Sequence, residues 1–164
     1  MEEKSNIINE LWTRFKAPWC LSFTMYFFFV ICILGGLGVI FSVFGNAENI
    51  NTKIINISSN LSTYFISIAI PSVILILLSF LSIKNKVSLI LIIVMIIISC
   101  IFLLYLSNSL HNIWGLLFAF IGALLSWFLW VIANYDNEFL NDESFDRLIK
   151  TEIDEKHGGN WDEK

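Results

Sequence analysis

The residues best suited to nucleophilic or metal chemistry are few: three cysteines, Cys20, Cys32 and Cys100, and two histidines, His111 and His157. A cysteine becomes a nucleophile where a nearby cation or helix end stabilises its thiolate. All three here fall at the edge of, or inside, uncharged apolar runs, where a thiol behaves as a small buried hydrophobe. Each histidine stands alone, His111 in a short turn and His157 just before Gly158 and Gly159, and a lone exposed imidazole is normally only solvated. The chain contains no HExxH, no P-loop, no GxSxG and no CxxC, so metalloprotease, nucleotide hydrolase, serine hydrolase and dithiol redox chemistry lack their residues. The residues therefore predict no enzyme and no cofactor or metal site.

The elements that would position any such residue are apolar. Of 164 residues 57% are hydrophobic and only 15% charged, a composition outside that of soluble globular domains. Four stretches carry no charge at all: 21–44, 61–83, 87–106 and 113–133. Each approaches the roughly 20 residues that a helix needs to cross hydrocarbon. Helices are the required form, because lipid-exposed backbone must satisfy its own N–H and C=O groups and the runs lack the alternation of a barrel. The predicted fold is thus all-α, with an interfacial amphipathic helix over 1–18, a four-helix transmembrane domain over 19–134 and an acidic cytoplasmic tail over 135–164. The first run is too long for a signal-peptide core, so span one reads as an uncleaved anchor.

Orientation follows from the ten basic residues. Lys4, Arg14 and Lys16 precede span one, Lys84 and Lys86 lie between spans two and three, and Arg147, Lys150, Lys156 and Lys164 follow span four. Only Lys53, in the segment 45–60, falls on the other side. The positive-inside rule then places both termini in the cytoplasm. The isoleucine, asparagine and lysine bias reads as bacterial, giving an inner-membrane location. On that basis Asn56-Ile-Ser and Asn60-Leu-Ser are ordinary polar residues of a connecting loop over 45–60, not glycan acceptors.

Within the leader, Ile7, Ile8, Leu11, Trp12 and Phe15 share one helical face, with Pro18 as a stop. That face lies either along the inner leaflet, with Arg14 and Lys16 meeting lipid headgroups, or against neighbouring helices. The tail has ten acids and four bases, yet Phe145, Leu148, Ile149 and Ile153 form an apolar stripe at helical spacing, with Asn141 or Asp142 as cap. This stripe reads as a docking surface for a cytoplasmic protein effector, or as a helix that merely packs or stays solvated. Its acidity argues against direct nucleic-acid binding.

Inside the spans the informative residues are small. Gly115, Ala119 and Ala123 recur every fourth position, flanked by Gly122 and Ser126, and such rows let helices approach closely. Ala69 and Ser72 belong to a weaker stripe in span two, where Pro71 predicts a kink. These rows read as packing within one bundle or as a homo-oligomer interface. Gly35, Gly36 and Gly38 should loosen span one. Trp12, Trp19, Trp114, Trp127 and Trp130 lie near span ends and read as anchors at the bilayer interface, in preference to a ligand cage built from Trp127 and Trp130.

Four uncharged spans, a leader ending in Arg14-Phe-Lys-Ala-Pro-Trp19 and an acidic tail after Trp127-Phe-Leu-Trp130 resemble the membrane subunit of the Kiwa phage-defence system. The likeness is of architecture. It implies a homo-oligomeric membrane sensor that answers phage-induced disturbance of the envelope and works with a cytoplasmic effector. The same plan is similar to immunity proteins against pore-forming toxins, and a small oligomeric channel is the third reading. The absence of charged residues inside the spans argues against proton relays, voltage sensors and coupled carriers.

Overall fold

The computed structural model describes residues 7–47, 49–80 and 86–142. Among them every regular element is helical. The order is α1 (Ile7–Lys16), α2 (Leu21–Tyr26), a π-helical stretch (Phe27–Leu34), α3 (Leu37–Phe44), α4 (Ile50–Phe80), α5 (Lys86–Ser109), α6 (Ile113–Ala133) and a 3-10 turn (Glu138–Leu140). The tail stripe Phe145, Leu148, Ile149 and Ile153 lies outside the described residues.

Two helices, α4 and α6, are long and apolar enough to cross a membrane; α2, the π-helical stretch and α3 form a third crossing if taken as one broken span. The break is a 51° bend between Leu34 and Leu37, at Gly35 and Gly36. Neither glycine has a positive φ, so the requirement is room and not a special backbone conformation. A Cβ at Gly35 would stand 2.6 Å from the Ile31 carbonyl oxygen, and one at Gly36 would stand 2.4 Å from that of Cys32. Gly35 N–H reaches back five residues to Val30 O at 2.9 Å, the hydrogen bond that defines a π turn.

The segment 50–60 is not a loop but the first third of α4, which corrects the expectation from its asparagine and serine content. The Asn49 side chain accepts from Thr52 N–H at 2.8 Å and so caps the helix start. Ser58, which as a loop residue would face water, is instead buried and bonded to Ser107. Pro71 lies inside α4, which continues past it to Phe80.

The core runs along α4, which packs most extensively on α6. Phe65, fully buried, sits over Gly122, where a Cβ would approach its ring to 2.7 Å. Leu11 and Phe15 of α1 pack on the cluster of Ala69, Val73, Ile76, Leu129 and Ile132, and the Phe15 and Phe128 rings lie 4.9 Å apart. Packing on neighbouring helices is therefore the observed state of α1. Arg14 corrects the headgroup reading: it is buried, its Nη1 donates to Ser79 Oγ at 3.2 Å, and its guanidinium lies 4.5 Å above the Tyr135 ring. A hydroxyl and an aromatic face make this protein environment hospitable to the cation.

Candidate functional site

The polar centre of the apolar bundle is Tyr64. Its hydroxyl donates to the Ile31 carbonyl at 2.8 Å and accepts the Trp127 Nε1–H at 2.7 Å. One side chain on α4 thereby ties the π-helical stretch of the broken span to α6. Widening the helical turn frees a carbonyl such as that of Ile31 from the regular ladder, and Tyr64 supplies a donor where no water is at hand. The tie is sealed by rings: Phe27 meets Trp127 and Trp130 at 6.0 and 5.6 Å, Phe23 meets Trp130 at 5.3 Å, and Tyr26 stacks on Trp130 at 5.9 Å.

Trp127 and Trp130, read from sequence as interface anchors, thus have their rings engaged with the broken span. Trp19 remains half-exposed, donates to the Phe15 carbonyl at 2.8 Å and packs edge-on against Phe23 and Phe27. Trp12 stacks on Phe15, has the Lys16 ammonium 5.0 Å from its ring centroid and is half-exposed, and Trp114 is exposed in the first turn of α6.

The structure places the small residues of α4 and α6 inside the bundle. Gly115, Ala119, Gly122, Ala123 and Ser126 are all buried in α6, and Ala69 and Ser72 are buried in α4. This face is occupied by packing within the chain. Ser72 donates back to Ile68 O at 2.7 Å and Ser79 to Ile76 O at 2.9 Å, the self-helix bonding commonly adopted by serine in apolar helices.

Two further junctions were missed. The Ser107 hydroxyl lies 2.9 Å from that of Ser58 and 2.6 Å from that of Ser62, all three buried, joining α4 to α5. At the other end Asp142, expected as a cap for the tail helix, uses its two carboxylate oxygens to accept the backbone N–H groups of Leu21 and Ser22, each at 3.1 Å. Hydrogen bonds from the Ser22 side chain and from these N–H groups hold its carboxyl below the usual range. A signal for this existed. The residue before α2 is Cys20, which provides no side-chain cap, so the helix start had to recruit an acceptor from elsewhere.

Among the described residues no three His, Cys, Asp or Glu side chains gather where a metal ion could be held, and Cys20, Cys32 and Cys100 are free thiols. Comparison with protein-family models, curated proteins and solved structures finds no match. The fold and composition define a helical membrane protein with two to three spans by length and apolarity.

Proposed function

We propose that this chain is a non-enzymatic inner-membrane sensor and scaffold subunit with four spans and both termini in the cytoplasm, relaying membrane disturbance to a cytoplasmic effector. The observation that carries the reading is the broken span held by Tyr64: a 51° bend whose free carbonyl is clamped from a second helix. A bend of this kind has a second, straighter arrangement, and bilayer thickness or tension biases the choice. Asp142 supports the relay, because the base of that same span is bonded to the start of the tail. The 24 residues of α5 supply the fourth span. Membership of an anti-phage defence complex, with self-association and a cytoplasmic partner bound through Phe145, Leu148, Ile149 and Ile153, rests on the architectural resemblance and the tail stripe.

The test is a distance. Segments of 14 and 8 residues rise about 21 and 12 Å. Joined at 51° they span about 30 Å, against about 33 Å when straight. Spin labels at the exposed positions Leu21 and Phe44, on a background with the native cysteines replaced, should report a lengthening of about 3 Å in thick bilayers relative to thin ones. A distribution that ignores bilayer thickness refutes the sensing role.

A further inference from the structure

We infer that the wedge opened by the bend is a binding groove for one acyl chain of a membrane phospholipid. Before the bend the first span lies against α6, through Phe23 on Trp130 and Phe27 on Trp127. After it, α3 lies on α4, where Asn60 donates to Ser42 and borders Gly38. The gap left between α3 and α6, floored by α4, has a volume of about 490 Å³. That is within the range of roughly 300–1,000 Å³ typical of small-molecule sites.

Three properties select a hydrocarbon chain. The walls are apolar: Val39 and Ile40 on α3, Leu61 on α4, and Leu116, Leu117 and Phe120 on α6. The polar side chains of the lining are Tyr64 and Trp127, whose donors go to Ile31 O and to the Tyr64 hydroxyl, and the weakly polar Cys32 thiol, so a polar ligand would be stripped of water with little in return. Finally, the lining on α6 extends from Ile113 to Trp127, about 21 Å along the helix, against the roughly 15 Å of one leaflet's hydrocarbon. The mouth is flanked by exposed Leu117 and Phe120, on a helix apolar enough to cross a membrane. What meets that mouth is lipid, and an unfilled void there forfeits dispersion contacts on every wall.

The inference rests on the chain being a membrane protein and not on its acting as a sensor, and its test leaves sensing aside. The full-length protein is reconstituted in phosphatidylethanolamine vesicles containing a tracer phosphatidylethanolamine with a photoactivatable group in mid-chain, and labelled peptides are mapped. Label should concentrate on 36–40 and 113–120. Leu117→Trp, which fills the groove, should lower that labelling about tenfold, while Leu124→Trp, at an exposed position of α6 outside the groove, should leave it unchanged. Ile40→Phe fills the groove from the opposite wall and replaces Leu117→Trp should the latter not fold. Label spread evenly over the exposed apolar faces, or a groove signal indifferent to both filling variants, means boundary lipid only and overturns the inference. A signal excluded from the groove by a second copy of the chain overturns it equally.

Discussion

Tyr64→Phe removes one oxygen atom and tests the clamp on the broken span. In the native protein that oxygen donates to Ile31 O at 2.8 Å and accepts from Trp127 Nε1 at 2.7 Å. Both partners lie among apolar side chains, and the ring of Tyr64 is itself buried, so phenylalanine keeps the packing while leaving one acceptor and one donor unpaired. Hydrogen bonds between membrane helices average about 0.6 kcal/mol and reach about 1.7. Two of them, together with the penalty for stranding polar groups away from water, set an expected destabilisation of about 1 to 3 kcal/mol. Reversible unfolding in mixed micelles reads this directly. The double-mutant cycle with Trp127→Phe apportions it: Trp127→Phe alone leaves the bond to Ile31 in place, so the two substitutions should couple. In the spin-label experiment Tyr64→Phe should also broaden the Leu21 to Phe44 distance. A change below about 0.3 kcal/mol together with an unaltered distribution would show that the hydroxyl does not hold the bend, and the relay argument would fall with it.

Three more consequences are open to measurement. Gly122→Ala drives a Cβ to within 2.7 Å of the Phe65 ring and should destabilise the bundle by about 1 to 3 kcal/mol through overpacking, read by the same unfolding assay; a neutral result would show that Phe65 moves aside freely. Ser107→Ala strands Ser62, leaves Ser58 only its longer bond to the backbone carbonyl of residue 107, and should cost about 1 to 3 kcal/mol for two lost interhelical bonds, whereas Ser72→Ala, which loses only a bond within its own helix, should change little. For Asp142 the folded carboxyl titrates below its unfolded value. Its capping contribution is therefore fully present above the unfolded pKa, about 3.9, and lost as pH falls through the lower folded value. Amide exchange at Leu21 and Ser22 should be faster in Asp142→Ala than in the native chain near neutral pH, and the two should converge in acid; equal rates at neutral pH would deny the cap.

Hydropathy makes the helices legible because an apolar run needs only its own residues to declare itself, and the fourfold spacing of Gly115, Ala119 and Ala123 announces a close-packed face just as locally. Gly35, Gly36 and Gly38 read as loosening span one, and the bend falls at the first two of them. What stayed hidden is pairing across distance. Nothing near Tyr64 says that Ile31 will offer a carbonyl, since that offer is created by a π turn in another helix. Asn49 to Asn60 read as a loop because asparagine and serine compete with the backbone for hydrogen bonds; a cap from Asn49 and a hydroxyl partner on α5 reversed that preference. Arg14 appeared destined for headgroups because a sequence shows a charge but not the hydroxyl and ring that receive it.

The length of α4 has a consequence for what the protein shows to its surroundings. Its 31 residues measure about 46 Å, while hydrocarbon is about 30 Å thick. To stay wholly submerged the helix would have to lean by about 50°, beyond the roughly 0–40° found for membrane helices. One end therefore rises clear of the lipid like a mast, and the polar Asn51, Thr52, Lys53 and Asn56 make it the end that includes Ile50. A rigid projection about two to three turns tall is a foothold that a soluble protein can touch without entering the bilayer.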